Sequence, residues 1–252
     1  MKLAGQHALI TGGGTGIGAA IARALAGEGA ALTLVGRRRA PLDAVANELG
    51  ATVAVADVTD RTAVDRAFGE ARQAHGPVTI LIANAGAAEG APFGRIDADA
   101  WRRAMAVNLD AVFHCCQAAL PDLKAARAGR IVTVASTAGL KGYAYTAAYT
   151  AAKHGAVGLM RALGAELAGT SITANAVCPG FTDTDLVAEA IATITAKTGR
   201  SAEEARAELA RFNPQGRLID PGEVASVVLW LCLPEQRSMT GQAIPVAGGE
   251  VA

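Results

Sequence analysis

The patterning of the chain predicts an α/β fold: a doubly wound parallel sheet of about seven strands with helices on both faces. Two observations carry that expectation. Short, near-continuous apolar runs recur along the 252 residues, as strands buried on both faces require. Stretches of helical periodicity alternate with them, and a βαβα rhythm packs as a parallel sheet between two helical layers. Composition agrees. Hydrophobic residues make up 51% and aromatics 4%, with 29 glycines, which suits close helix–sheet contact better than an aromatic-rich sandwich.

The elements follow in order. The first strand, His7–Ile10, runs into Thr11-Gly12-Gly13-Gly14-Thr15-Gly16-Ile17-Gly18 and then a helix over about Gly16–Gly29. A strand at Ala31–Val35 ends on Gly36-Arg37-Arg38-Arg39, and a helix covers Ala40–Leu49. Thr52–Ala56 forms the third strand, followed by Asp57-Val58 and a helix at Arg61–His75. Thr79–Ile82 leads to Asn84-Ala85-Gly86, after which one long helix is expected over Ala98–Leu120. The strand Arg130–Ala135 delivers Ser136, and a helix from Tyr149 to Ala168 precedes the strand Ser171–Val177. A helix at Gly222–Leu233 and a strand at Ala243–Val246 complete the pattern. Between them Phe181–Gly216 reads as an insertion over the sheet's end, with a helix near Ala202–Arg211, where substrate loops of such folds sit. With no repeat, low-complexity tract or linker, residues 1–252 read as one domain carrying that insertion at about 181–216.

Charge and cysteine content narrow the function classes. Twenty-three basic residues balance 23 acidic ones, so nothing electrostatic argues for nucleic acid or an acidic membrane as partner. No apolar stretch approaches the roughly 20 residues that span a bilayer, and Met1–Gly5 enters a strand without room for a signal peptide. Cys115, Cys116, Cys178 and Cys232 lie in apolar contexts without metal-ligand spacing. Buried free thiols in a reducing cytoplasm, and no metal, are the expectation.

Two segments carry chemistry. Glycines at a strand-to-helix turn let the backbone approach a pyrophosphate, which the helix N-terminus attracts. Gly14-x-Gly16-x-x-Ala19 satisfies the general Rossmann fingerprint, yet Gly12, Gly16 and Gly18 spell T-G-x-x-x-G-x-G instead. The second strand ends without the acid that bonds ribose hydroxyls in NAD sites; Arg37, with Arg38 behind it, suits a 2′-phosphate, favouring NADP(H) over NAD(H). The second segment holds Tyr149 and Lys153, four residues apart and so on one helix face. A nearby ammonium stabilises phenolate, so the pair is expected to lower the Tyr149 pKa for acid–base work. Tyr143 and Tyr145 are rival phenols without a lysine four residues on, and His154 points about 100° away from Lys153 on a helix.

Taken in order, these segments resemble the short-chain dehydrogenase/reductase family over nearly the whole chain, particularly its 3-oxoacyl and polyketide ketoreductases and its NADP-dependent secondary alcohol dehydrogenases. The resemblance rests on Thr11–Gly18; Asp57-Val58; Asn84-Ala85-Gly86; Asn108 in Val107-Asn108-Leu109; Ser136 with Tyr149 and Lys153; and Pro179-Gly180-Phe181-Thr182-Asp183-Thr184. It implies an NAD(P)-dependent enzyme interconverting a ketone or 3-oxoacyl carbonyl and a secondary alcohol. Gly12, Thr15, Gly16, Ile17 and Gly18 would cradle the cofactor, Asp57 would bond the adenine amine, and Val58 would add a backbone contact. Asn84, Ala85 and Gly86 would line the ribose side and brace the sheet, while Pro179, Gly180, Thr182 and Thr184 would hold the nicotinamide. Tyr149 would pass the proton, Ser136 orient the carbonyl oxygen, Lys153 grip the nicotinamide ribose and tune Tyr149, and Asn108 hold a water linking Lys153 to solvent.

Phe93, Leu140, Tyr143 and Leu186 would make an apolar substrate pocket. The family forms homotetramers through the helix at Gly222–Leu233 with the last strand, and through the helices holding Asn108 and Tyr149, so a homotetramer is expected. Ala83 and Ala247 depart from the family's usual Asn and Asp without removing a group that hydride transfer needs. An NAD-linked dehydrogenase of a hydroxy acid or cyclic alcohol differs mainly at the Arg37 strand end. A non-catalytic dinucleotide sensor would show damage among Asn108, Ser136, Tyr149 or Lys153, and all four are intact.

Overall fold

The strands align all parallel in the order β3-β2-β1-β4-β5-β6-β7, in a computed structural model that describes residues 1–251. They are β1 His7–Thr11, β2 Ala31–Gly36, β3 Thr52–Val55, β4 Ile80–Ala83, β5 Gly129–Val134, β6 Ile172–Pro179 and β7 Ala243–Val246. The chain starts in the middle of the sheet, winds outward to β3, then returns past β1 to β4 and on to β7. That reversal makes a crevice between the carboxyl ends of β1 and β4, where open α/β sheets bind ligands.

The sheet separates two apolar layers. On one face Phe68, Leu81, Leu123, Ile131 and Met160 are buried with the helices α3 (Arg61–His75), α5 (Ala111–Ala125) and α6 (Ala147–Glu166). On the other, Ile21, Leu25, Leu34, Val228 and Leu231 pack with α1 (Gly16–Gly27), α2 (Arg39–Leu49) and α9 (Pro221–Cys232). Each such side chain contributes roughly 1.5–3 kcal/mol by leaving water. These two layers account for the unbroken apolar runs of the central strands.

Helix starts are specified locally. Asp60 caps α3 by accepting from the Thr62 amide at 2.8 Å, which leaves Asp57, one turn earlier, out of that role. Asp97 caps α4 (Ala98–Met105) through the Ala100 amide. Capping boxes formed by Ser201 with Glu204, and by Asp220 with Glu223, open α8 (Ala202–Ala210) and α9. Loss of a cap costs typically about 1 kcal/mol.

Three expectations need correction. The helix expected over Ala98–Leu120 is interrupted: α4 passes at Ala106–Asp110 through a π turn before α5 begins. A helix accommodates such a bulge without losing apolar periodicity, so nothing in the pattern marks it. The insertion after β6 holds a second helix, α7 (Asp185–Thr198), whose Val187 meets Leu209 and Leu218 in a small cluster of its own. Strand ends also shift: β1 extends through Thr11 and β6 through Pro179, while Thr79 and Ser171 lie outside β4 and β6.

Candidate active site

The glycine-rich turn is packed too tightly for any side chain. A Cβ on Gly18 would lie 2.1 Å from the Gly12 carbonyl oxygen, and one on Gly12 would lie 2.8 Å from Asn84 Nδ2. Gly12 also takes a positive φ of 66°, which favours glycine. Asn84 locks the turn from β4: its Nδ2 donates to the Thr11 carbonyl at 2.9 Å, and its backbone amide donates to Thr11 Oγ1 at 2.9 Å. The Ala85 amide shares that hydroxyl at 3.0 Å. Thr15 precedes α1 without making a side-chain cap bond, so the first amides of the helix stay available to an anion.

Across the turn, the Thr184 side chain lies 3.0 Å from where a Gly16 Cβ would stand. Thr184 follows Pro179, Gly180 and Thr182, and Thr182 is buried with its hydroxyl donating to the Gly180 carbonyl at 3.0 Å. Ile17 is half-buried against the α1 layer.

At the ends of β1 and β2 a cavity is lined by Gly14, Thr15, Arg37, Arg38 and Leu42. Asp57, just past β3, faces one of these residues, with Arg37 Nη1 4.0 Å from its Oδ2. The Asp57 carboxyl sits below its usual range: burial pushes it up, but two bonds from Thr59 and the Arg37 charge outweigh that. Val58 is buried beside it. The exposed amides, closely packed glycines and paired arginines fit a phosphorylated dinucleotide. A larger cavity at the opposite, amino edge of the sheet, lined by His7, His75 and Asp122, holds none of these groups.

The proton-transfer candidates meet at the carboxyl ends of β5 and β6. Ser136 follows β5 by two residues and caps a short 3-10 turn, accepting from the Ala138 amide at 3.1 Å. Tyr149 stands in the first turn of α6, and Lys153 Nζ lies 5.7 Å from its ring centre while donating to the Val134 carbonyl at 3.0 Å. Burial pushes the Tyr149 phenol up, against a hydrogen bond with Ser136 that pulls it down. Burial also draws Lys153 down to about 8. The sequence expectation of a phenol lowered by its lysine is therefore reversed: desolvation dominates, and Tyr149 is a protonated donor at neutral pH.

Asn108 occupies the π turn, fully buried. Its Nδ2 donates to the Ala87 and Ala104 carbonyls at 2.9 and 3.0 Å, and its Oδ1 accepts from the Ala87 amide at 3.3 Å. The Asn108 side-chain amide thereby fastens the loop after β4. A Cβ on Gly86 would stand 2.9 Å from Asn108 Oδ1 and 3.4 Å from Lys153 Nζ, so Gly86 lets the three residues close together.

The four residues expected at the substrate pocket diverge. Tyr143 is half-buried, its hydroxyl 2.5 Å from Thr137 Oγ1. Leu140 is partly buried and packs against the core layer that includes Val157 and Met160 of α6. Phe93 is 79% exposed on a short 3-10 turn and Leu186 is exposed at the start of α7. Phe181 and Phe212, which sequence reasoning placed only within a loop range, instead pack around Tyr143. Glu250, bonded to Tyr143 from the C-terminal tail, had no signal in the sequence.

Comparison with known proteins agrees with this geometry. Residues 6–195 match the family model described as short chain dehydrogenase. The chain is 38% identical to a putative ketoacyl reductase of the granaticin polyketide synthase of Streptomyces violaceoruber, covering 96% of this chain and 92% of that protein. It is 36% identical to the D-beta-hydroxybutyrate dehydrogenase of Cupriavidus necator, over 99% of both. It is 38% identical to the L-tagatose-forming galactitol 2-dehydrogenase of Cereibacter sphaeroides, over 98% of this chain and 96% of that one. A variant of actinorhodin polyketide ketoreductase solved with NADPH superposes with a TM-score of 0.94 at 35% identity, covering 98% of this chain and 97% of that one.

Proposed function

The chain belongs to the short-chain dehydrogenase family and is an NAD(P)-dependent oxidoreductase of ketones and secondary alcohols; from that premise we propose that it works with NADP(H) and that Tyr149 is its proton donor and acceptor. The observation that carries this reading is the meeting of Ser136, Tyr149 and Lys153 beside the dinucleotide turn, with Tyr149 held protonated by burial. The bound cofactor supplies the hydride to the carbonyl carbon, or takes it from the alcohol.

The chain's own groups do the rest. Ser136 Oγ donates a hydrogen bond to the carbonyl oxygen and fixes its direction. Tyr149 gives that oxygen its phenolic proton as negative charge develops there, leaving a phenolate and a secondary alcohol. The Lys153 ammonium lies close enough to stabilise the phenolate, and its depressed pKa, about 8, lets it pass a proton on near neutral pH. In the oxidative direction each transfer reverses. Gly12–Gly18, Asp57, Val58, Asn84–Gly86 and Pro179–Thr184 hold the cofactor in this reading, with Arg37 and Arg38 on its 2′-phosphate.

Exposed Trp101, Phe113 and Trp230 on α4, α5 and α9 support a homotetramer as part of the proposal, checked by light scattering. Four buried cysteines without a disulfide support a reducing, cytoplasmic setting, and one catalytic domain over 1–252 completes it. No helix among the described residues is long and apolar enough to cross a membrane.

Replacing Tyr149 with Phe tests the assignment directly. NADPH oxidation with a panel of 3-oxoacyl thioesters, aryl ketones and cyclic ketones is expected to fall at least about 100-fold, while NADPH binding persists. Near-normal turnover would remove Tyr149 from the mechanism. The second reading, an NAD-linked dehydrogenase, draws on the similarity to the hydroxybutyrate dehydrogenase and predicts higher efficiency with NADH on hydroxy acids or cyclic alcohols.

A further inference from the structure

One carboxylate is buried on the substrate side of the site without any part in proton transfer. The Glu250 side chain is 2% exposed, and its Oε2 is buried without a hydrogen-bond partner among the described residues. Its Oε1 accepts from the Tyr143 phenol and from Lys141 Nζ, the latter at 3.2 Å, and Lys141 also donates to the Glu250 backbone carbonyl at 3.3 Å. A C-terminal residue that only finished the fold would keep its carboxylate in water, since a buried oxygen left bare is costly.

The tail is held in this place by close packing. A Cβ on Gly180 would come 2.9 Å from Glu250 Oε2, and one on Gly248 would overlap the Asn213 side chain at 2.0 Å. Glu250 therefore sits directly on the Pro179-Gly180 turn.

What the carboxylate holds is an aromatic ring. Tyr143 is fixed at its hydroxyl by Glu250 and by Thr137, the residue after Ser136, and from above by the Lys141 ammonium 5.0 Å from the ring centre. The ring meets Phe181 edge-on at 6.0 Å and Phe212 at 5.6 Å, and these two lie 5.1 Å apart. Phe181 follows Gly180, and Phe212 is 43% exposed, so the cluster presents ring surface at the end of β6 beside Ser136. Rings prefer edge-to-face or offset contact with other flat rings.

We propose that Glu250 is a positioning residue that sets substrate specificity: by holding Tyr143 it fixes a wall of Tyr143, Phe181 and Phe212 that selects ketones and secondary alcohols bearing a flat or alicyclic ring beside the reacting carbon. The inference rests on the reading of Tyr149 as the proton donor. Glu250 acts through Tyr143, to which its carboxylate is bonded.

The experiment compares full-length wild type, Glu250→Ala and Glu250→Gln in NADPH-dependent reduction of acetophenone, cyclohexanone and 2-butanone. Wild type is expected to favour the ring ketones in kcat/KM. Glu250→Ala is expected to raise KM for them about tenfold with kcat within about twofold, and to change 2-butanone by less than about twofold. Glu250→Gln, whose amide oxygen still accepts from Tyr143, is expected to recover most of the ring preference. Equal losses on all three ketones would overturn the proposal, and so would no change on any.

Should wild type reduce none of them, the functional reading fails separately, and the brace is read without turnover. The chain has three tyrosines. In a Tyr145→Phe, Tyr149→Phe background, which leaves Tyr143 as the one phenol, the absorbance edge at 295 nm is expected to move to lower pH on Glu250→Ala, because Tyr143 is pushed up by burial and then by its bond to Glu250. An unmoved edge would overturn the brace itself.

Discussion

Arg37→Ala is the substitution that decides cofactor choice. The guanidinium extends from the end of β2, 75% exposed, with Nη1 4.0 Å from Asp57 Oδ2. A hydrogen bond to a charged group contributes about 1.5–3 kcal/mol, and exposure places Arg37 at the lower end of that range. About 1.4 kcal/mol is tenfold, so kcat/KM with NADPH is expected to fall about tenfold. The double replacement of Arg37 and Arg38 is expected to cost roughly 30- to 100-fold. NADH lacks the 2′-phosphate and its efficiency is expected to stay within about twofold. Added salt weakens wild-type use of NADPH more than that of the variant, since solvent-exposed charges are screened. Melting temperature is expected to hold, because a surface change away from caps and core stays within about 0.5 kcal/mol. The assay is initial rates against NADPH and NADH with one ketone. Equal losses with both cofactors, or a wild-type preference for NADH, would refute the reasoning.

Gly18→Ala sets a Cβ 2.1 Å from the Gly12 carbonyl, so backbone must move; unfolding free energy is expected to drop by about 1–3 kcal/mol and NADPH fluorescence titration to weaken at least about tenfold. His7 is held neutral, its pKa lowered chiefly by burial and also by His75, against bonds to Gly76 and Pro77 and the charge of Asp122 that raise it. The unfolded imidazole titrates near 6.5, so this contribution is complete above that pH and is lost as pH falls toward the folded value, by up to about 1.4 kcal/mol per unit. Urea unfolding at several pH values is expected to show that slope, and a His7→Gln protein that keeps it in full would contradict the assignment. Lys153→Met removes an ammonium that burial brings down to about 8; it is expected to abolish turnover yet raise stability by about 1–3 kcal/mol, below the roughly 3 kcal/mol of the shift because the Val134 carbonyl loses its donor. A lower melting temperature for that variant would show that Lys153 is held there for folding.

The sheet was legible because burial on both faces leaves a direct trace, an apolar run. His7–Thr11 and Ile80–Ala83 are buried at every position, and no partner outside the run is needed to see it. The cofactor side was legible for a related reason, since backbone contact demands glycines at fixed spacing. The π turn at Ala106–Asp110 left no trace, because one extra residue per turn barely shifts the periodicity of an apolar face. The contact of Asn108 with Ala87 was hidden for the same cause: Asn108 lies within that bulge, and its amide meets Ala87 from there. The substrate wall was least legible. Tyr143 and Glu250 are 107 residues apart, and only the return of the tail across the ends of β6 and β7 joins them.

Burial explains why the site tolerates groups that an optimised core would refuse. Tyr149 and Lys153 are both pulled toward their neutral forms by desolvation, and in the proposed mechanism this keeps the proton on Tyr149 until the carbonyl oxygen takes it. Asn108, Gly86 and the Val134 carbonyl close around Lys153 without a carboxylate partner among the described residues, so no fixed ion pair there holds the ammonium. A carboxylate there would stabilise the fold and raise the lysine pKa, and would hold the charge where the phenolate needs it to be free. The one carboxylate that is buried nearby, Glu250, is already neutralised by Lys141. Carboxylate charge is thus kept away from Tyr149 and balanced by Lys141 beside Tyr143, and on the proposed reading that division lets Tyr143 and Tyr149, two phenols six residues apart, serve as a wall and as an acid.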